Sequence, residues 1–406
     1  RLRTVTGVQT CALPIYGPFM KPSILLRTKF LVLRPRPDYL PRPRLLDWLE
    51  SNSDKRLTLL SAPAGYGKTT LLADFINASS LPFAWYQLDA QDSDPTVFLT
   101  YLIEALRNMK RMPENLARAI GQTAQSLLDS SESTISPQRV LTVLINELAE
   151  QIEMPWLIVL EDYHFIASPV VHQLVDFLLE NAPEGLRVII STRVDPPLAL
   201  ARLRARGQLA ELRSSSLRFR EEEVTKWMQS DLPELSSENL NLLSEKTEGW
   251  VAALQIIRSS LSGRDVQDMN LVLAGLSGSQ QFVFDYLADE VFKRLPEDLQ
   301  EFLLRTAILQ QMDSSACNAV AGVQDSQSVL EYLEKQNLFV SSLDLQRHWY
   351  RYHPLFREFL LSRLQRLGTE AVTGLERSAA VPLKLVHVEH WEDGGVLVKY
   401  QIERSI

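Results

Sequence analysis

Residues 62–70 read Ala-Pro-Ala-Gly-Tyr-Gly-Lys-Thr-Thr, directly after the apolar run Leu57–Ser61. Glycines at this spacing let the backbone turn its N–H groups inward around an anion. The N-terminus of the following helix adds a favourable dipole. Ala64, Gly65, Tyr66, Gly67, Lys68 and Thr69 would form such a cradle, and Thr70 completes its Gly-Lys-Thr-Thr signature. Lys68 should reach the β/γ-phosphates of a nucleotide, and the Thr69 hydroxyl should sit on Mg²⁺. Ala62 stands where the motif prefers glycine; its methyl group is tolerable at a negative φ. A second constellation is Trp-Leu-Ile-Val-Leu-Glu-Asp-Tyr-His at 156–164, a run that ends in two acids. Neighbouring strand residues point to opposite faces, so Glu161 and Asp162 diverge: one could hold the magnesium shell while the other orients water. A third run, Ile-Ile-Ser-Thr-Arg, could present Thr192 or Arg193 to the γ-phosphate. His164 reads as a structural loop histidine. No hydrolase triad, metal cluster or dinucleotide fingerprint rises above chance.

These residues need elements to hold them. Strand-like runs recur at 57–61, 83–89, 156–162, 187–193 and, more weakly, 209–213. Helical patterns lie between them, as in 168–182, where Val171, Leu174, Val175 and Leu178 share one face. Apolar strands alternating with amphipathic helices imply a parallel α/β sheet covered on both faces. After Leu217 helices dominate. Ser236 and Ser237 offer an N-cap, and Pro296 suits a helix start. A helix over 325–340 should lead into a hairpin formed by 338–344 and 348–353, with a further helix from Pro354. That order suggests a winged-helix unit.

The chain has 406 residues, which implies two or three domains. Its net charge of −8 makes it a poor bulk binder of nucleic acid. Two cysteines, Cys11 and Cys317, supply no disulfide framework and fit a reducing, cytoplasmic setting. The apolar runs are too short to span a bilayer. Residues 1–20 resemble translated adapter text and are set aside as a leader.

Taken in order, the segments SAPAGYGKTT, WYQLDAQDSDPTVFLTYLIEAL, LIVLEDYHFI, STRVDPPLALARLRARGQLAELRSSSLRF, KTEGWVAALQ and YHPLFREFLLSRL resemble the MalT-like regulators. These are ATP-binding LuxR-family transcriptional activators within the signal-transduction ATPases with numerous domains. The resemblance covers roughly residues 22–380. It implies a P-loop NTPase domain at 21–216, a helical domain at 217–290 and a winged-helix domain at 291–368. It further implies ATP/ADP and Mg²⁺ as cofactors, a closed ADP form and an ATP form that self-associates. Residue by residue, Lys68 and Thr69 take the phosphate and magnesium positions. Glu161 and Asp162 take the acidic pair, which usually begins with Asp, so the longer glutamate puts metal geometry and hydrolysis rate in question. Arg193 takes the sensor position. His353 resembles the winged-helix histidine on the ADP β-phosphate, Arg44 lies in a segment near the base, and Val251 replaces a proline near adenine. Family members continue into a helical-repeat sensor for an inducer and a DNA-binding helix-turn-helix, neither of which falls within this sequence. Residues 369–406 form a divergent, strand-like tail, read as a frameshift or read-end artefact rather than a new domain.

Three readings follow. The first is a signalling switch with slow ATP hydrolysis. The second is a AAA+-type remodelling motor. The third is a nucleotide-independent interaction scaffold. The departures at the metal acid and the Tyr-His-Pro-Leu-Phe segment favour the switch.

Overall fold

Strands form at all five of the apolar runs: β1 Leu57–Ser61, β2 Phe83–Gln87, β3 Trp156–Glu161, β4 Leu186–Thr192 and β5 Leu209–Arg213. The structure, a computed structural model, describes residues 25–32, 39–130, 136–151, 154–261, 279–344, 346–366, 383–390 and 396–402. The strands pair in the order β2-β3-β4-β1-β5, all parallel. Every residue of β1 and β3 is buried, as expected of strands covered on both faces. Leu57 and Leu59 face one core with Tyr86, Ile158 and Ile190, beneath the helices Pro95–Arg107, Pro137–Gln151 and Pro169–Asn181. Leu60 faces the other with Trp85 and Val159, against the helix Lys68–Ala78. Each such fully buried leucine contributes about 1.5–3 kcal/mol.

The second core does not stop at the sheet and its helices. It continues through Trp227, Leu243, Trp250 and Leu254 into Phe302, Leu330, Tyr350 and Phe356. The helices Glu221–Asp231, Ser237–Thr247 and Val251–Leu261 follow the sheet, then Ser279–Glu290, Glu297–Thr306, Ser314–Ala321 and Ser326–Lys335. The Ser236 side chain caps the second of these from Asn239 N at 3.2 Å. A two-stranded antiparallel hairpin, β6 Val340–Ser342 with β7 Tyr350–Tyr352, and the helix Pro354–Arg366 complete a winged-helix arrangement.

One boundary differs from the periodicity. The expected helix over 325–340 ends at Lys335 because Asn337 and Phe339 take left-handed φ values of 52° and 57°. Leu338 N then donates to Leu333 O at 2.9 Å and closes the helix end. The chain turns there toward the sheet. The tail strands β8 Leu383–His390 and β9 Val396–Ile402 pair as an antiparallel hairpin. The leader at 1–20 lies outside the described residues.

Candidate functional site

The motif residues meet at the carboxyl ends of three adjacent strands, β3, β4 and β1, where open α/β sheets place their ligands. Ser61 ends β1 opposite Thr192 of β4, so the phosphate loop leaves the sheet beside Arg193. Gly65 and Gly67 adopt φ of 79° and 74°, and Gly67 caps the helix Lys68–Ala78. Ala62 is fully buried and is not among the residues with positive φ, so its methyl group costs the turn nothing.

Lys68 is buried, and its ammonium donates to Ala62 O at 2.7 Å and Pro63 O at 2.9 Å. Burial, helped by the nearby Arg193 charge and opposed by Glu161, lowers its pKa to about 8. Thr69 Oγ1 donates to Glu161 Oε1, 92 residues away in sequence, and Ser191 Oγ reaches the same oxygen at 3.3 Å. Glu161 Oε2 is buried without a hydrogen-bond partner. Burial, with the Asp162 charge beside it, raises the Glu161 pKa to about 7. Asp162 turns away in a left-handed conformation with φ 60°. An orphaned carboxylate oxygen beside a threonine hydroxyl fits a hard cation whose other ligands are phosphate and water. Among the described residues no cluster of three or more His, Cys, Asp or Glu side chains is placed to hold a metal ion.

Arg193 stands at the end of β4, its Nη1 3.3 Å from Glu290 Oε2. Thr192 turns its hydroxyl to Val194 O at 2.6 Å instead. His164 lies within electrostatic reach of Arg193 and Lys68. Both its ring nitrogens are buried and unpartnered, with Asp162 at 3.9 Å, beyond hydrogen-bond reach. Burial, with the charges of Arg193, Lys68 and Arg294, depresses its pKa to about 3, so it is neutral.

The helical segment after Thr247 covers the loop. Trp250 Nε1 donates to Ala64 O at 3.1 Å, and Ala252 N to Gly65 O at 2.9 Å. A Cβ on Gly65 would lie 2.4 Å from Ala252 Cβ, so this close approach requires glycine. Trp250 and Ala252, rather than Val251, make these contacts. Across the cleft, His353 Nε2 donates to Thr247 O at 2.9 Å, which leaves Nδ1 buried as an unpaired acceptor. The ring packs edge-on against Trp250 and Phe339. Burial depresses the His353 pKa to about 4. A small cleft of about 70 Å³ joins Pro63 and Tyr66 of the loop to Glu248, Phe339 and His353. Its volume is far below the roughly 300 Å³ of a small-ligand pocket.

Arg44 does not reach this cleft. It donates to Ser216 O, Arg218 O and Glu223, beside Arg42, which binds Leu217 O, Arg218 O and the same Glu223. Together they fasten the helix Pro43–Ser51 to the junction where the sheet passes into the helices. The motifs did not single out Asn337, whose side-chain amide donates to Arg193 O at 3.1 Å and Ser61 Oγ at 3.3 Å. Its left-handed φ is the one local sign, since Asn tolerates that region. Trp250 and Glu290 were equally invisible, because their partners are distant in sequence.

Residues 288–372 match the family described as the MalT winged helix domain. The chain is 36% identical over 342 residues to an HTH-type transcriptional regulator MalT of Serratia proteamaculans, covering 84% of this chain and 36% of that protein. It is 37% identical over 329 residues to the regulator of the same description from Yersinia enterocolitica, covering 80% and 35%. The chain thus spans about a third of the length of these curated relatives. Among solved structures, a Walker-type ATPase of Pyrococcus abyssi shares the fold with a TM-score of 0.53 at 16% identity, covering 81% of this chain and 98% of that one.

Proposed function

From a chain that carries the MalT winged helix domain at 288–372 and is related to MalT regulators over 80–84% of its length, we propose a nucleotide-dependent switch within a transcriptional regulator. The observation that carries this reading is the shared cleft: winged-helix residues Phe339 and His353 line the same space as Pro63 and Tyr66 of the phosphate loop. A ligand in the loop therefore acts directly on the docking of the winged helix.

The proposed roles follow the chemistry. Loop N–H groups and Lys68 hold the phosphates of ATP or ADP. Thr69 and Glu161 hold Mg²⁺, which supplies charge neutralisation at the transferring phosphate when bound. Asp162 orients water, and Arg193 answers the γ-phosphate. Glu161 must be ionised to serve the cation. In the ADP form the lid is docked. ATP loosens it and exposes surface for self-association. The helix before the hairpin carries Glu331 and Glu334 against Lys335, which suits a closing element rather than a DNA reader. DNA and inducer contacts are assigned to regions of the regulator beyond those described here, and cytoplasmic location follows from the proposed role. No helix among the described residues is long and apolar enough to cross a membrane.

Replacing His353 by Ala tests the reading. It removes a buried hydrogen bond and the edge-on ring contacts with Trp250 and Phe339, which should shift the docked equilibrium by about 1–3 kcal/mol toward the open form. Sedimentation in ADP should show larger species than the wild type; an unchanged profile counts against the role. The same histidine adds a pH signature. Its docked pKa near 4 lies below the ordinary 6.5, so docking is supported above pH 6.5 and weakens as pH falls toward 4. The His353→Ala chain should lack that slope. Rapid multiple turnover with no retained ADP would instead favour a motor.

A further inference from the structure

The sensor arginine is engaged by an acid from another element. Arg193 Nη1 lies 3.3 Å from Glu290 Oε2, and the other oxygen, Oε1, accepts from Arg294 Nη2 at 2.9 Å. Both Arg193 and Glu290 are near 30% exposed, so the pair lies at the surface rather than in the core. A carboxylate offers a guanidinium the same planar oxygen acceptors as a phosphate. Glu290 thus occupies the group that the third phosphate of ATP would need.

Its helix is tied to the loop that would hold the nucleotide. Tyr286, one turn before Glu290 on the same face, packs against Trp250 with ring centroids 5.8 Å apart. Trp250 in turn donates to Ala64 O in the phosphate loop. The Arg193 backbone carbonyl accepts from Asn337 at the turn of the winged helix. Freeing the Arg193 side chain from Glu290 therefore removes a link from the bridge between the sheet and the lid. Arg294, held on the same carboxylate, remains to neutralise Glu290 when Arg193 departs.

We propose that Glu290 is a specificity-determining residue that sets the balance between nucleoside diphosphate and triphosphate by competing with the terminal phosphate for Arg193. This rests on the nucleotide-switch reading. A diphosphate leaves the Arg193–Glu290 pair intact. A triphosphate must displace the carboxylate, so its affinity is reduced by the strength of that pair.

The experiment measures ATP and ADP dissociation constants of the full chain by competition with a fluorescent nucleotide. The ratio Kd(ADP)/Kd(ATP) should rise about two- to five-fold in Glu290→Gln, the range set by a partly exposed ion pair. ADP affinity itself should stay within two-fold of wild type. In an Arg193→Ala background the same substitution should leave the ratio unchanged, because the competitor then has nothing to withhold. A Glu290→Gln ratio equal to wild type overturns the proposal. So does an equal change with and without Arg193, since that marks a general effect on packing. Thermal unfolding of each variant verifies that it is folded. If the wild type binds neither nucleotide, the switch reading fails first and this inference falls with it. If Lys68-dependent binding is present but the ratio does not move, this inference alone fails.

Discussion

Lys68→Ala is expected to lower nucleotide affinity by about 10- to 150-fold while the chain stays folded. The lost contact is a charge-assisted one to phosphate, worth about 1.5–3 kcal/mol. Folding should survive because Lys68 contributes little to it. Its ammonium is removed from water, which disfavours its charged form, and it binds only two loop carbonyls. Removing the charge relieves that burial. A competition assay with a fluorescent nucleotide reads the affinity, and thermal unfolding reads the fold. Wild-type affinity in a folded Lys68→Ala chain would remove the phosphate-loop assignment, whatever the winged helix does.

Gly249→Ala is expected to destabilise the chain most severely, by about 2–6 kcal/mol. Gly249 has φ of 70°, and a Cβ there would lie 2.1 Å from Phe219 O and 2.8 Å from Phe219 N. Both atoms are backbone, so no side chain can swing aside. Phe219 N also donates to Gly249 O at 2.8 Å, which locks the two segments together. Left-handed strain of about 1–3 kcal/mol and the overpacking term of similar size combine. Trp250 follows immediately, so the lid over Ala64 should loosen as well. Chemical denaturation gives the stability. A variant within 1 kcal/mol of wild type would mean that the Phe219 strand of chain yields freely, against the packing described here.

The sheet was readable because its strands are short apolar runs bounded by turn residues. Leu57–Ser61 and Trp156–Glu161 could scarcely be anything else between helices with clear faces. The glycine spacing marked the tight turn between β1 and the helix Lys68–Ala78, and the acids at 161–162 were marked by their position at a strand end. Chain length and an acidic balance were silent on the lid. Its contacts join residues far apart: Trp250 and Ala64 are 186 positions apart, Asn337 and Arg193 are 144, and Glu290 and Arg193 are 97. Nothing in local periodicity encodes such pairs. Arg44 shows the converse. Its side chain suited a place near the base by resemblance, yet Glu223 and the carbonyls of Ser216 and Arg218 engage it. An arginine in the first turn of a helix carries no sign of which carboxylate will claim it. The helix end at Lys335 was misjudged for a related reason, because an Asn-Leu-Phe sequence gives little warning that two of its residues will adopt positive φ.

The account holds that nucleotide identity at the phosphate loop sets the docking of the winged helix through Glu290, Asn337 and His353. The most direct measurement is the distance between spin labels at position 55, beside β1, and position 347, on the hairpin loop, taken in ADP and in ATP with Mg²⁺. A single narrow distance distribution in ADP that lengthens or broadens in ATP is the predicted result. Superimposable distributions in the two nucleotides, with both shown to be bound, would contradict it.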